Sequence, residues 1–151
     1  MTNVVFYHLT RRGLDETVEG LLTRAVGQGW RVMVRCPDAG LVAHLDEKLW
    51  LGAEDGFLPH GVQGGAYDRD QPVLLGPGPV ANGAQALMLL AGAEVAQAEA
   101  AGLERIWVVF DGADASAVTE ARRRWPVYKA WGLDVQYWSD APGGGKAPAG
   151  G

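Results

Sequence analysis

Residues 103–112 read LERIWVVFDG, and this stretch decides the fold. From Ile106 to Phe110 the apolar residues run without a break, lacking the polar alternation of a strand with one wet face. Such a strand is buried on both sides, as in a parallel sheet covered by helices. Asp111 and Gly112 end the run. A helix is expected from Ala113 to Trp131, stopped by Gly132, with a last strand in LDVQYWS, 133–139.

Moving outward, the same alternation recurs toward the N-terminus. VVFYHL, 4–9, is β-branched and aromatic, and Leu14, Val18, Leu21, Leu22, Ala25 and Val26 follow at helical spacing up to Gly27 and Gly29. WRVMVRC, 30–36, reads as a second strand. After it Pro37 and Asp38 open a helix with an apolar stripe of Leu41, Val42, Leu45 and Leu49. Between residues 52 and 70 the chain is Gly-rich and polar around GFLPHG, and PVLLG and AQALMLLAG are short apolar runs that fit either strands or buried helical turns. Strands alternating with helices predict a single-domain, three-layer Rossmann-like α/β fold over residues 1–139. Its sheet should be mainly parallel, with helices on both faces. Residues 140–151, rich in Gly, Pro and Ala, have little to bury and are expected to form a flexible tail.

At 151 residues, 48% hydrophobic and 21% charged, the chain has the composition of one ordinary globular domain. A lone Cys36 excludes a disulfide framework and a cysteine-based zinc site. The start lacks a basic segment followed by an apolar one, and no apolar run is long enough to cross a bilayer, so the expected location is the cytoplasm. A net charge of −5 argues against sequence-independent DNA binding, which needs a strongly basic face.

The candidates for catalysis are thin. Asp111 at a strand end with Asp114 three residues on is a position where α/β enzymes hold magnesium or a phosphoryl group. A small nucleotide-binding or phosphoryl-transfer enzyme is therefore the alternative reading. Against it, no Gly-rich phosphate loop follows the first strands, and Asp114 suits the cap of the next helix. His8, His44 and His60 fit no zinc spacing, Ser116 and Ser139 lack a G-x-S-x-G elbow, and GPGPVANG, 76–83, is a turn. In GGGK the residue after Lys146 is alanine, where a P-loop needs Ser or Thr. No metal or cofactor is expected, and a binding module is favoured.

RRRWPVYKAWG, 122–132, concentrates the positive charge: residues 118–131 hold four basic residues and one acid. On a helix Arg122, Trp125 and Lys129 share a face while Val118, Ala121 and Tyr128 turn to the sheet. A guanidinium beside a large ring can fork onto a carboxylate and hold an aromatic side chain, the needs of a peptide's C-terminal residue. The same periodicity fits a solvated basic face with its tryptophans in the core. Pro126 lacks the N–H that would bond the Arg122 carbonyl, so a kink or a later helix start is expected there. Trp50, Phe57 and Leu58 are either core, with their loop folded over the second helix, or an exposed patch that takes a partner's helix.

In order, FYHL, GWRVMVRCPD, LDEKLW, FLPHG, QPVLL, FDG and RWPVYKAWG, spread over Val5 to Trp138, make the chain resemble the chi subunit family of bacterial DNA polymerase III holoenzyme. The resemblance implies a non-catalytic subunit of the clamp-loader assembly. Such a subunit pairs with the psi subunit and grips the acidic, phenylalanine-ended C-terminal tail of single-stranded-DNA-binding protein, meeting DNA only through these partners. Carried over by motif, Arg122 would pair with the tail carboxylate and Trp125 would wall the ring pocket, with Gly112 and Lys129 close by. The psi-binding surface would fall on Trp50, Phe57, Leu58 and Pro59. The chain departs from the family pattern at Pro126, where a lysine or another polar helix former is common, which implies one positive contact fewer.

Overall fold

The computed structural model describes residues 2–11, 13–51 and 58–140. In chain order the elements are β1 (Asn3–Leu9), α1 (Leu14–Gly27), β2 (Val32–Arg35), α2 (Ala39–Trp50) and β3 (Gly61–Val62). A 3-10 turn (Asp68–Asp70), β4 (Val73–Gly76), β5 (Ala86–Leu89), α3 (Gln97–Ala101), β6 (Arg105–Asp111), α4 (Ala115–Ala130) and β7 (Asp134–Ser139) follow. The strands form one sheet in the order β3-β4-β2-β5-β6-β1-β7, and each pairing is parallel. Both ambiguous apolar runs are strands. The tail expected over 140–151 lies, after Asp140, outside the described residues.

Alternation along the buried strands divides the interior in two. Val5, Tyr7 and Leu9 of β1, with Trp107 and Val109 of β6, face α1 and α2 and meet Val18, Leu22 and Leu45. Val4 and Phe6, with Ile106 and Val108, face the other way and meet Leu103, Ala121 and Tyr128 beside α3 and α4. The result is the expected helix-sheet-helix layering. It follows from the direction of travel: the chain moves one way across the sheet from β1 to β3 and back from β3 to β7, and crossovers of one hand then fall on opposite faces.

Capping fixes the helices next to the candidate residues. Asp38 accepts from the Gly40 and Leu41 N–H groups, and Asp114 from those of Ser116 and Ala117. Each cap stabilises its helix by about 1 kcal/mol. At the far end of α4, Gly132 has a φ of 81°. Its N–H reaches the Lys129 carbonyl and the Leu133 N–H that of Tyr128, the pair of bonds that closes a helix on a left-handed residue. The helix does not start late at Pro126: it runs from Ala115 to Ala130 with Pro126 inside it on the exposed side. A start capped by Asp114 and an inner face anchored by Ala121 and Tyr128 carry it past the missing bond.

Candidate functional site

Parallel pairing sets Phe6 beside Val108 and Tyr137, and His8 beside Phe110. Phe6, His8, Phe110 and Tyr137 thus present one aromatic patch on the α4 side of the sheet. Val118, Ala121, Arg122 and Trp125, spaced by three and four along α4, roof it. Between them lies a pocket of about 380 Å³, within the lower range of ligand-binding clefts.

Its rings are locked together. Trp125 lies 5.2 Å from Phe6 and 6.5 Å from Tyr137 between ring centres, and His8 stacks on Phe110 at 5.0 Å. The His8 Nδ1 and the Tyr137 hydroxyl are hydrogen-bonded at 2.6 Å, a polar point in an otherwise apolar pocket. Gly112 does not line the pocket. It sits behind His8, where any Cβ would run into the imidazole, and so it lets the β6–α4 turn close against that ring.

The basic run splits into unequal parts. Arg122 is exposed at the pocket wall and makes no hydrogen bond or ion pair among the described residues. Arg123 turns aside to pair with Glu120 at 3.0 Å and Glu94 at 3.4 Å, and its hydrogen bond holds the Glu120 carboxyl below the usual carboxylate range. Arg124, only 6% exposed, is a structural residue that bonds the Gly92 and Ala93 carbonyls. Lys129 stands with its Nζ 5.8 Å from the centre of the Trp125 ring, on the exposed side of the pocket wall. Arg122 and Lys129 are thus the cations of this helix that no carboxylate among the described residues neutralises.

Of the residues expected from the motif, Arg122 and Trp125 come together, Lys129 adjoins them and Gly112 acts through His8. Phe6, His8, Phe110 and Tyr137 escaped sequence reasoning. The period-two spacing of Phe6 and His8 was a usable signal, but their union with Phe110 and Tyr137 needs the strand order.

The second expected surface divides. Trp50 is 57% exposed and its ring lies 5.0 Å from that of His60, which is buried beneath it. The His60 Nδ1 is 2.7 Å from the Leu58 carbonyl oxygen and its Nε2 is 3.0 Å from the Asp46 carboxylate. Pro59 is exposed, but Leu58 turns inward and joins the core beside α2, so it presents no side chain to a partner. Phe57 lies outside the described residues.

Asp111 and Asp114 are engaged as local structure. An Asp111 carboxylate oxygen accepts from the Ala113 N–H at 2.9 Å, and one of Asp114 takes the Ser116 and Ala117 N–H groups at 3.0 and 3.3 Å. Among the described residues no group of three or more His, Cys, Asp or Glu side chains could hold a metal, and no helix is long and apolar enough to cross a membrane. Burial pushes the Cys36 thiol up, away from the thiolate form that a nucleophile needs.

In comparison with known proteins, no curated protein matches the chain. The family model described as DNA polymerase III chi subunit, HolC, matches residues 1–136.

Proposed function

The chain belongs to the DNA polymerase III chi subunit family, and on that premise we propose that it is an adaptor whose α4 pocket takes the acidic C-terminal tail of single-stranded-DNA-binding protein. The observation that carries this reading is Arg122, an exposed guanidinium with no protein partner among the described residues, on the wall of an aromatic pocket. A terminal phenylalanine would enter between Trp125, Phe6 and Phe110, its carboxylate would meet Arg122, and preceding acidic residues would run toward Lys129. Pro126 removes one donor from this helix and supplies no charge, which limits the contact.

The end of α2 is the proposed psi-binding surface, centred on Trp50 and Pro59. Through its two partners the protein would link the clamp-loader assembly to coated single-stranded DNA in the cytoplasm, without touching DNA or performing chemistry. The engagement of Asp111 and Asp114 as turn and cap supports this reading over phosphoryl transfer.

The decisive measurement is calorimetric titration with a synthetic acidic peptide ending in Asp-Ile-Pro-Phe. A dissociation constant on the order of micromolar is expected for so short a contact. Arg122→Ala should cost about 1.5–3 kcal/mol through loss of a charge-assisted bond, and amidating the peptide's C-terminus should cost the same. Added salt should weaken binding. Equal affinity for the amidated peptide, or an unaffected Arg122→Ala variant, would remove the assignment.

A further inference from the structure

A second hollow, of about 430 Å³, lies on the other flank of α4. It opens where β5 and β6 end, with Leu14 of α1 and Leu41 of α2 on one side and Ala117 of α4 on the other. Its position follows from the topology. Chains leaving β1 and β2 pass to the face of α1 and α2, whereas those leaving β5 and β6 pass to the face of α3 and α4. Since β1 adjoins β6 and β2 adjoins β5, the connections part to opposite faces and leave a crevice at the carboxyl ends of the strands. Open parallel sheets take their ligands at this place.

The walls define what can enter. Leu14, Leu41, Leu89, Val109 and Phe110 make the interior apolar, and Asp111 and Asp114 supply carboxylates, while the third acid of the lining, Glu120, is paired with Arg123 at 3.0 Å. Asp111 and Asp114 each spend one oxygen on backbone N–H groups, and the second oxygen of each has no partner among the described residues. Among the described residues the lining's one cation, Arg124, has its terminal N–H groups turned to the Gly92 and Ala93 carbonyls and lies 3.5 Å from Glu94 and 3.6 Å from Glu120. A phosphate would meet the Asp111 and Asp114 carboxylates there, and a helix N-terminus whose first N–H groups Asp114 already caps. Ala91, on the same wall, holds a φ of 52°. That left-handed conformation is costly for a residue with a side chain and concentrates at binding sites.

We propose that this crevice is a second binding site, for a peptide segment that sets an aliphatic side chain between Leu14, Leu41 and Ala117 and a lysine or arginine against Asp111 and Asp114. Charge complementarity chooses the occupant. It is opposite to that of the aromatic pocket, although the two hollows share Phe110 and Ala121.

The test is amide-resolved NMR of the full chain, titrated with acetyl-Lys-Leu-Leu-Lys-amide, with its Glu-Leu-Leu-Glu counterpart and with magnesium ATP. The lysine peptide should move the amides of residues 91–93 and 111–117 in a saturable way, and the glutamate peptide should not. Asp114→Asn, which keeps the cap, combined with Asp111→Asn should weaken the lysine peptide roughly three- to tenfold. Ala117→Trp, which fills the crevice, should abolish the response. If a variant folds poorly, salt titration of the wild-type chain replaces it, and affinity must fall as ionic strength rises. No saturable shift at millimolar lysine peptide, equal response to both peptides or salt-independent binding would overturn the proposal. Movement of the same amides by magnesium ATP would assign the crevice to a nucleotide instead.

Discussion

The pocket under α4 and the ledge at the end of α2 are built in opposite ways. Under α4 part of the lining also belongs to the interior: Phe6 is buried and packs against both Trp125 and Tyr128. At the end of α2, Trp50 rests outside on His60, Leu51 next to it is still more exposed, and the core beneath is closed by Leu49 and Leu58. A concave site shares its side chains with the fold, and a ledge is laid upon it. Substitutions of the pocket's packed rings should therefore damage binding and stability together, whereas substitutions on the ledge should separate them.

The largest effect is expected from Arg124→Met, on the buried side of α4 outside the aromatic pocket, which leaves the Gly92 and Ala93 carbonyls without their donor and sets the scale for a purely structural loss. It should cost roughly 2–4 kcal/mol in denaturant unfolding. Next comes Trp125→Ala, expected to lose about 2–3 kcal/mol, below the range for a fully buried tryptophan, together with peptide binding. Trp50→Ala should change stability by no more than about 1 kcal/mol while psi capture in a pull-down falls. A loss equal to that of Trp125→Ala would end the distinction.

The smallest effect is a control outside both surfaces. The Arg35 guanidinium, hydrogen-bonded to Glu99 on α3, holds that carboxyl below its usual range. The pair therefore stabilises the fold above the unfolded glutamate value of about 4.3. That stability is lost as pH falls through the lowered folded value. Glu99→Gln should flatten the acid side of the stability curve and leave both binding surfaces alone.

The elements of this fold were legible because local physics marks them. An unbroken apolar run marked β6, Asp38 and Asp114 marked two helix starts, and Gly132 marked a stop. Strand order was not legible, because it is decided by which buried faces fit when the whole chain closes. The pocket suffered accordingly: Arg122 and Trp125 sit on one helix and declare themselves by spacing, whereas His8, Phe110 and Tyr137 meet only because β1 lies between β6 and β7. The arginine run showed the limit in miniature. Three identical neighbours read as one basic patch, yet the turn of the helix sends Arg122 to solvent, Arg123 to carboxylates and Arg124 into the interior. Leu58 was open for a similar reason, since only the chain's return over α2 makes it core.

The position of β1 also bears on how the protein folds. Among the described strands β1 pairs only with Arg105–Asp111 and Asp134–Ser139, the two that lie furthest from it along the sequence. Until those segments join it, the apolar residues of β1 have no strand to pair with, and partly folded chains carry an unpaired, aggregation-prone segment. Closure waits on the most distant pairing among the described strands, so folding should be slow for a domain of this size. It also makes β7, the final strand, the one that turns β1 from an edge into an interior strand.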